Sequence, residues 1–397
     1  MLLQNAHYPE DERVLREATT LHDAGYAVTV ICPRAGGEAR DETLDGIRVR
    51  RYRCLAMSGR STPVALEWLW AILAMSFHSA ACFSRQRYSV IHAHNPPDFL
   101  VLIAAPYKLL GCRIVYDHHD LVPEMFDVRF GVGGSLARAL LVRGERLSCR
   151  LADLVIEVNE SHQRVDWERS GVPLERSVVV RNGPDDRMLS RTPSPPPPRS
   201  KPVIGYAGVI GRQDGVDVLV DAVDLLVREL GTRAFSCVIA GDGDARAAIE
   251  RDVGNRGLDE VISFTGWLPY PRFIEAIEGF DIGIAPEPPN EYNRQSTLLK
   301  IMDYMALARP VVAFDLPEHH VTAGDAAVYV AGATPAHLAT GIRELIENEG
   351  RRIELGRRGR ERAERTLAWS VVSLPLLDGY ATLSPSNRFS RGSRRRS

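Results

Sequence analysis

Short apolar runs alternate with amphipathic segments along most of the chain, and this alternation predicts its fold class. β-branched runs bounded by turn residues predict strands, whereas apolar residues spaced three and four apart predict the helices between them. Because apolar strands that alternate with helices are typical of a parallel sheet covered on both faces, the pattern predicts an α/β fold. The predicted strands are 26–32, 90–92, 113–117, 154–158, 178–180, 203–207, 235–240, 261–264, 281–285 and 310–314.

A proline-rich segment divides this alternation into two series. The sequence TPSPPPPRSKP at 192–202 predicts an extended and semi-rigid connection. Two doubly wound domains joined by one linker would place a cleft between the carboxyl ends of their sheets. The expected segments are a first domain at 1–185, a linker at 186–202, a second domain at 203–365, a helix at 366–383 that packs back toward the first domain, and a disordered basic tail at 384–397.

Composition favours a cytoplasmic enzyme. The chain has 397 residues, enough for two or three domains, and its formal net charge of −2 gives no support to a nucleic-acid-binding protein. Its six cysteines are scattered without a C-x-x-C pair, so we expect free thiols in a reducing compartment rather than disulfides. No signal peptide is expected, since Met1-Leu2-Leu3 is followed directly by polar residues.

The segment STLLKIMDYMALARPVVAFD at 296–315 combines three groups that suit a nucleotide diphosphate. Its pattern predicts a helix that begins at Ser296 and Thr297, which are good N-cap residues, followed at once by a buried strand. The free N–H groups of such a helix favour a diphosphate, and Lys300 in an exposed first turn can reach the same anion. One turn later, Asp303 offers a carboxylate to ribose hydroxyls.

A second polar cluster follows the strand predicted at 113–117. The sequence continues so that His118, His119, Asp120 and Glu124 are expected at the carboxyl edge of a buried strand. Placing several titratable groups there is costly unless they are used, which favours a functional role over a role in satisfying loop backbone groups.

The histidines also allow a rival class of enzyme. His92 and His94 end the neighbouring predicted strand, and with His118 and His119 they could form the metal site of a metal-dependent hydrolase. No H-x-x-x-H or H-E-x-x-H spacing is present. The absence of a P-loop and of a complete G-x-G-x-x-G disfavours an NTPase and a dinucleotide oxidoreductase. The hydrolase stays open as an alternative.

The segment at 296–315 resembles the donor-site helix of retaining family-4 glycosyltransferases. That family has the GT-B fold, in which two Rossmann-like domains with doubly wound parallel sheets face each other across a cleft. The family segment usually reads E-x7-E, then A-M-A or Y-M-A, then G-x-P-V-V-A. The matching residues are Asp303 at the second glutamate, Tyr304-Met305-Ala306, Pro310-Val311-Val312-Ala313, and Ser296 with Lys300, which resemble a serine and a lysine of bacterial exopolysaccharide and O-antigen subfamilies.

Two departures from the family pattern accompany this match. The first family glutamate falls on Gln295, which puts the sugar contact of that position in doubt. In most relatives the loop after the first strand of the second domain supplies an arginine and a lysine to the diphosphate, but those positions here are Val209 and Asp214. Lys300 therefore becomes the main phosphate cation, and Arg212 is a candidate substitute.

The resemblance implies roles for residues in both domains. The sequence DHHDLVPE resembles the family block H-D-L-x-P-E, which directs His119 to the donor sugar and Glu124 to the acceptor side. Arg13 is expected to fix the first loop by pairing with a nearby carboxylate. The implied residues are, for catalysis, His119, Glu124 and Lys300; for donor binding, Gly208, Arg212, Gly241, Gly266, Trp267, Gln295, Ser296, Thr297, Leu298, Lys300 and Asp303; and on the acceptor side, His7, His94, Asn95 and Asp120.

The resemblance also implies the reaction. It is a retaining transfer of a sugar from a nucleotide-diphosphate sugar to a glycan or polyprenyl-linked acceptor in cell-surface polysaccharide synthesis. Retention is expected through front-face attack by the acceptor, with no metal or other cofactor and no nucleic-acid partner. A catalytically silent sugar-nucleotide-binding subunit is the second alternative, because Gln295 and the missing loop cations depart from the family pattern.

The helix predicted at 64–83 raises the question of membrane contact. Its apolar content suits a membrane span, but Glu67 and His78 interrupt it, and a core-facing helix is the simplest interpretation. Trp68 and Trp70 near several arginines suggest a third interpretation, a helix on an anionic membrane surface. This gives the hypothesis of peripheral association with the inner face of the plasma membrane. The arginines are Arg48, Arg50, Arg51, Arg53 and Arg60.

Overall fold

The chain forms two α/β units, each built around its own parallel strands. The computed structural model describes residues 1–54, 64–130, 136–193 and 199–383. Unit 1 comprises Met1–Arg181 and the chain from Ser373, and unit 2 comprises Asn182–Val372. The prolines at 194–198, Arg60 and the expected tail at 384–397 lie outside the described residues.

The strands of unit 1 form two sheets that are joined through Leu2. They are β1 (Thr29–Arg34), β2 (Asp41–Leu44), β3 (Ile47–Arg53), β4 (Val90–His94), β5 (Arg113–His118), β6 (Leu154–Glu157) and β7 (Ser177–Val179). Their orders are β1-β3-β2 and β4-β5-β6-β7, and Leu2 forms parallel bridges to Ile31 of β1 and Ala93 of β4. The predicted parallel arrangement is confirmed for β4 to β7 and for β1 with β3.

One hairpin in unit 1 departs from the predicted pattern. β2 and β3 pair in antiparallel fashion. Neither was among the predicted strands, all of which were expected to be parallel. Asp45 and Gly46 connect the two strands with φ angles of 47° and 82°. An Asp-Gly pair with positive φ at both residues is typical of a two-residue hairpin turn. The turn therefore explains the hairpin, and its residues are visible in the sequence.

Helices cover the sheets of unit 1. They are α1 (Glu12–Asp23), α2 (Val64–Phe83), α3 (Val101–Lys108), α4 (Val122–Phe130), α5 (Leu136–Leu151), α6 (Glu160–Val165) and α17 (Leu374–Leu383), with a π-helical turn at Asp166–Ser170. The Asp11 side chain caps α1 by accepting a hydrogen bond from the N–H of Val14. The Tyr380 hydroxyl of α17 lies 2.9 Å from Nδ1 of His92, which attaches this last helix to β4.

Unit 2 contains a single six-stranded parallel sheet. Its strands are β8 (Val203–Ala207), β9 (Ser236–Ala240), β10 (Ile262–Gly266), β11 (Ile282–Ala285), β12 (Val311–Phe314) and β13 (Ala327–Val330). Their order is β10-β9-β8-β11-β12-β13, so the chain reverses direction across the sheet between β8 and β11. Ligands of doubly wound sheets bind at such a switch point, outside the carboxyl ends of the strands.

The helices of unit 2 flank this sheet, and the first of them lies before the expected start of the domain. They are α7 (Asp186–Leu189), α8 (Val216–Leu230), α9 (Arg246–Asn255), α10 (Tyr270–Glu278), α11 (Glu291–Gln295), α12 (Leu299–Ala306), α13 (Pro317–Ala323), α14 (Pro335–Glu347), α15 (Glu349–Arg362) and α16 (Trp369–Val372), with a π-helical turn at Ala363–Leu367. α7 occupies positions that were expected in the linker. Asp185 caps it, and its Met188 is buried in the core of unit 2, so these residues belong to the unit.

Candidate functional site

The carboxyl edge of the sheet in unit 1 is organised around the buried Asp117. Arg13 donates two hydrogen bonds of 2.8 Å to its carboxylate, and Nδ1 of His94 lies 2.9 Å from Oδ2. Burial alone would raise the pKa of Asp117, but Arg13 and the neighbouring histidines outweigh burial and hold that pKa well below its ordinary value. The expected pairing of Arg13 with a carboxylate is confirmed.

His119 is the histidine of this edge that faces outward. Its Nδ1 lies 3.3 Å from Oδ2 of Asp117, and its backbone N–H donates to the Asn95 side chain at 2.9 Å. Its side chain keeps 12% of its surface exposed, whereas His92, His94 and His118 are at most 1% exposed. Burial lowers its pKa but Asp117 raises it, with a net upward shift. Asp117 thus orients the ring through Nδ1, and part of the side chain stays exposed.

The four residues expected on the acceptor side differ in burial, since two are buried and two are partly exposed. Asn95 is fully buried, and its side chain holds the loop that contains Asp120, accepting from the Asp120 N–H at 3.2 Å and donating to its carbonyl at 2.6 Å. His94 is also fully buried, so both residues support the edge instead of facing an acceptor. His7 is partly exposed and pairs with Glu10 and Glu38, and Asp120 is partly exposed.

Glu124 belongs to a second ion network in unit 1. Arg169 contacts Glu124 and donates to Glu145 at 2.8 Å, while Asp166 binds Nδ1 of His118 at 2.8 Å. Burial would lower the pKa of His118, but Asp166 raises it to about 10, so this histidine is a charged member of the network. Both Asp166 and Arg169 come from the π-helical turn, a feature that the sequence pattern did not reveal.

The buried histidines fall into two separate groups that could hold a metal ion. One group contains Glu17, His92, His94 and Asp117, and the other contains His118, Cys149 and Asp166. Arg13 already supplies a cation to the first group, at 3.3 Å from Glu17 and 2.8 Å from Asp117. All seven residues are buried, so an ion in either group would not meet a substrate. The four histidines therefore do not form the single open site that a metal-dependent hydrolase requires.

In unit 2, three glycine-containing loops meet at the carboxyl ends of β8, β9 and β10. Gly208, Gly241 and Gly266 have φ angles of 151°, 145° and 70°. A Cβ atom on Gly241 would lie 1.8 Å from the Gly208 carbonyl oxygen, so only glycine permits this contact between the first two loops. Gly241, one of the residues expected to bind the donor, therefore marks a close approach of two loop backbones beside the switch point.

Lys300 lies beside these loops, but it is not exposed as predicted. Its ammonium contacts Glu287 and lies 3.2 Å from the Tyr206 hydroxyl and 3.6 Å from Asp214, and 10% of its side chain is exposed. A Cβ atom on Gly208 would lie 3.2 Å from its Cε, so the lysine stem packs against the first loop. Burial lowers the pKa of Lys300, but Glu287 and Asp214 outweigh it and raise that pKa, so the residue is a cation.

The helix that carries Lys300 begins three residues later than predicted. Ser296 ends α11 instead, because its hydroxyl donates back to the carbonyl of Tyr292 at 2.8 Å. Leu298 occupies the N-cap position of α12, and its apolar side chain makes no capping hydrogen bond. Leu298 therefore gives the first N–H groups of α12 no side-chain cap, and these groups form the positive end of the helix dipole.

Tyr304 holds α12 at the switch point. Its hydroxyl accepts a hydrogen bond from the N–H of Ala207 in β8 and lies 3.3 Å from the Ile284 carbonyl of β11. The Y-M-A part of the sequence match thus acts by attaching the helix to the two strands that diverge there.

The remaining residues expected to bind the donor surround the same edge. Arg212 is exposed and has no ion-pair partner among the described residues, and Trp267 after β10 is 72% exposed. Gln295 donates to Glu291 at 2.7 Å, and the Thr297 hydroxyl lies 3.5 Å from Glu318. Asp303, on the second turn of α12, is partly buried.

Two buried residues of this edge were missed. Glu287 follows β11 and pairs with Lys300. Asn293 donates to the carbonyls of Gln213 and Pro288 at 3.1 and 2.8 Å, which joins the loop after β8 to the loop after β11. Neither residue lies in a motif, and only the fold brings them to the site.

Models of two protein families match the chain in sequence. "Glycosyltransferase Family 4" matches residues 12–187, and "Glycosyl transferases group 1" matches residues 201–348. Among curated relatives, the 2-deoxystreptamine glucosyltransferase of Streptomyces kanamyceticus is 28% identical over 88% of this chain and 92% of its own length. The D-inositol 3-phosphate glycosyltransferase of Kineococcus radiotolerans is 23% identical over 96% of this chain and 91% of its own length.

Solved structures of glycosyltransferases share the fold. Sucrose-phosphate synthase from Thermosynechococcus elongatus superposes with a TM-score of 0.75 at 17% identity, covering 96% of this chain and 98% of that chain. Anabaena HepE, solved in complex with UDP-glucose, gives a TM-score of 0.69 at 16% identity, covering 96% and 99%. Together with the two parallel-sheet units, these likenesses confirm the predicted GT-B fold.

Proposed function

Because this chain belongs to glycosyltransferase family 4, we propose that it transfers a sugar, with retention, from a nucleotide-diphosphate sugar to a glycan or lipid-linked acceptor of the cell surface. Family membership makes it a glycosyltransferase. Retention, the donor, the acceptor and independence from metal ions are parts of the proposal. Binding of UDP-glucose by the structurally similar HepE supports a nucleotide sugar as donor.

One observation in unit 2 carries the proposal. The uncapped start of α12, the Lys300 ammonium and the glycine loops after β8, β9 and β10 lie around one switch point. Amide N–H groups and a cation at a helix start bind phosphate, and glycines let the backbone approach it. We assign the donor diphosphate to this edge, where negative charge develops on the leaving phosphate during transfer. Fixed donors there would stabilise the transition state by a few kcal/mol.

His119 in unit 1 is assigned to the donor sugar. Its partly exposed ring and its fixed orientation on Asp117 suit a hydrogen bond to a sugar hydroxyl. In front-face attack, the acceptor oxygen bonds to the anomeric carbon as the bond from that carbon to the diphosphate oxygen breaks. The acceptor proton passes to the departing phosphate oxygen. The step needs no metal ion and no enzymatic nucleophile.

Thermal unfolding with a panel of UDP-, GDP- and dTDP-sugars tests the proposal. A donor that binds the folded protein raises the unfolding temperature in a concentration-dependent way. The donor so identified is then incubated with candidate acceptors, and NMR of the product reports whether the anomeric configuration is retained. Stabilisation with no transfer to any acceptor would favour the silent binding subunit. No stabilisation by any nucleotide sugar would contradict the proposal.

Cyclitols belong among the acceptors in this assay. The two curated relatives are named for inositol 3-phosphate and for 2-deoxystreptamine, both of which are small ring polyols. We favour a glycan or polyprenyl-linked acceptor because of the exopolysaccharide-type residues Ser296 and Lys300. Transfer to cyclitols alone would replace that part of the proposal and leave the reaction class unchanged.

We also propose that unit 1 works at the cytoplasmic face of an anionic membrane. α2 buries one face, which includes Ala71 and Met75, and exposes the opposite face. By length and composition alone it could span a membrane, but its buried face packs in unit 1 and favours a surface helix. The exposed side chains, between 40% and 71% accessible, are Leu66, Leu69, Trp70, Leu73 and Phe77.

α5 carries a second exposed apolar face, which also bears basic charge. Leu136, Leu140 and Leu147 are 74%, 58% and 44% exposed, and Arg143 and Arg150 are exposed at matching helical spacings. The only acids in α2, α3 and α5 are Glu67, which is partly buried, and Glu145, which is fully buried. Exposed leucines with exclusively basic exposed charges are typical of helices that lie on anionic lipid.

The structure changes which residues support this membrane hypothesis. Trp68 turns inward and packs edge-on against Phe99 at 5.2 Å, so only Trp70 of the tryptophan pair faces outward. Arg50 and Arg51 are also engaged inside unit 1, by His78 and by the Tyr8 carbonyl respectively. The basic contribution that we propose therefore comes from α5 and not from the arginines of β3.

A further inference from the structure

The polar cluster around Lys300 contains more carboxylates than cations. Glu287 contacts the ammonium, and Asp214 lies 3.6 Å from it. The hydroxyls of Tyr206 and Tyr304 and the ring of His319 on α13 also lie among the titratable groups that act on the lysine. All three are neutral, because burial raises the pKa of both tyrosines well above its ordinary value and lowers that of His319 to about 4. With both carboxylates ionised, the cluster has a net charge of −1.

This charge is poorly screened by water. The exposed fractions of the Lys300 and Asp214 side chains are 10% and 15%, and that of Glu287 is 1%. Interactions between charges in such surroundings are much stronger than on an open surface. The diphosphate of a nucleotide sugar carries two more negative charges, and the proposed function places it at this edge. Binding would therefore bring a dianion to a cluster that is already negative.

The two carboxylates are not equally stabilised. Glu287 contacts the ammonium directly, whereas Asp214 is further from it and accepts one hydrogen bond of 3.1 Å from the Gly211 N–H. Burial and the Glu287 carboxylate raise the pKa of Asp214, and Lys300 offsets them only in part. Asp214 is thus a carboxylate whose surroundings favour its protonated form.

We propose that Asp214 binds a proton when the nucleotide-diphosphate sugar binds. The proton converts the cluster to a neutral Lys300–Glu287 pair and an uncharged Asp214 carboxyl group, which removes the repulsion between the carboxylate and the diphosphate. This inference rests on the proposed function, because it needs the diphosphate beside Lys300. It also gives a role to Asp214, which departs from the lysine that the family resemblance implies at this position.

Proton uptake makes donor affinity depend on pH. A bound dianion raises the pKa of Asp214 further above its value in the free protein. Between these two pKa values, the complex holds one more proton than the free protein, so affinity falls by up to about tenfold for each unit rise in pH. Below the lower value Asp214 is already protonated, and above the higher value it stays ionised in both states, so affinity is flat in both ranges.

Calorimetry of nucleotide-sugar binding tests this proposal. The probe is whichever of UDP-, GDP- and dTDP-glucose binds most tightly, since the diphosphate of a nucleotide sugar has no proton to lose near neutral pH. Titrations in buffers of different ionisation enthalpy count the protons taken up at each pH. The wild-type protein should take up as much as one proton per donor, with the predicted loss of affinity as pH rises.

Three variants locate the proton. Asp214→Asn keeps an acceptor for the Gly211 N–H, and it should bind the donor without proton uptake and with a flat pH profile. Asp242→Asn changes a carboxylate of the neighbouring loop, which pairs with Arg246 at 3.2 Å, and should behave like the wild type. Glu287→Gln should reduce uptake, because it removes the second negative charge of the cluster.

The outcomes separate this inference from the proposed function. If donor binds without proton uptake at any pH, or if Asp214→Asn retains the uptake, the assignment to Asp214 is wrong while the donor site stands. Zero uptake together with affinity that requires added Mg²⁺ would show that a cation, and not a proton, neutralises the carboxylates. If none of the three nucleotide sugars binds, the proposed function itself fails and this inference with it.

Discussion

The carboxyl edges of the two units use different means to hold charged groups. In unit 1, Asp117 accepts two hydrogen bonds from Arg13 and lies beside two histidines, and a second network joins Arg169 to two glutamates. In unit 2, three glycine loops and the uncapped start of α12 supply backbone N–H groups, and Lys300 supplies the cation. The first edge is built mainly from paired ionic side chains, and the second combines backbone N–H groups with a lysine.

This difference predicts where each kind of substitution acts. Removing a charge from the network of unit 1 leaves a buried partner uncompensated, so stability should suffer first. Removing the cation of unit 2 should lower donor affinity, and it also leaves the buried Glu287 without its partner, so the effect on affinity is separated by removing that carboxylate as well. If a substitution in the network of unit 1 acted mainly on donor affinity, or if loss of the Lys300 charge acted only on stability, this difference between the two edges would be wrong.

The largest expected effect is on the stability of unit 1. Arg13→Met leaves Asp117 buried without its main partner and should lower the free energy of unfolding by about 3–5 kcal/mol. Urea titration with hydrogen exchange resolved for each unit measures this loss. The control is Arg16→Met on the same helix, whose partner Glu12 is 3.8 Å away and which should change stability by about 0.5 kcal/mol or less. Equal effects of both variants would contradict the account.

The next effect is on donor affinity in unit 2. Lys300→Ala should weaken binding of the nucleotide sugar by about 1.5–3 kcal/mol, tenfold or more, through loss of a charge-assisted contact to phosphate. Because this variant leaves Glu287 buried without its cation, Lys300→Met with Glu287→Gln provides a variant without that uncompensated charge. Isothermal calorimetry of both should show weakened binding. Unchanged affinity in the folded double variant would show that Lys300 is only a structural cation.

His119 should affect turnover with little effect on nucleotide binding. His119→Ala removes one hydrogen bond to the transferred sugar and should raise the activation free energy by about 1.5 kcal/mol, which lowers kcat roughly tenfold. Its affinity for the free nucleoside diphosphate should stay unchanged. Steady-state kinetics and calorimetry on the same preparation separate the two quantities. His337→Ala on α14 is the matched control. A loss of nucleotide affinity in His119→Ala alone would place the nucleotide at the edge of unit 1.

The smallest effect per residue concerns the outer surface of unit 1. Each basic residue near an anionic surface contributes about 1 kcal/mol to the free energy of membrane binding. Arg143→Gln with Arg150→Gln should therefore weaken binding to anionic vesicles by about 2 kcal/mol, as measured by co-sedimentation. Leu73→Ser with Phe77→Ser should also weaken it. Ile353→Ser, at a position of unit 2 that is 67% exposed, should not. Wild-type protein that stays in the supernatant at low salt would contradict membrane association.

The sequence predicted ten strands of this fold because their apolar runs are strong local signals, whereas β2, β3 and β13 were not among the predicted strands. All ten predicted strands are present with small shifts at their ends, for example Val311–Phe314 in place of 310–314. The start of α12 was misplaced, because Ser296 was taken for a cap although its hydroxyl bonds back to Tyr292. Local pattern cannot show which of two adjoining helices uses a serine.

The site was only partly predictable, for a different physical reason. Lys300 was found because it lies in a recognisable segment, but its burial between Glu287 and Asp214 depends on loops more than ten residues away in the chain. Arg169 and Asp166 were missed because a π-helical turn, which has no clear sequence pattern, directs both inward. Groups that act through long-range pairing are visible only once the fold is known.

A crystal structure of the protein with its tightest-binding nucleotide sugar tests the central claim most directly. The account predicts the diphosphate at the carboxyl edge of unit 2, within hydrogen-bond distance of the Lys300 ammonium and of the first N–H groups of α12. A diphosphate bound elsewhere, with the Lys300 ammonium in contact only with Glu287, Asp214 and Tyr206, would contradict it.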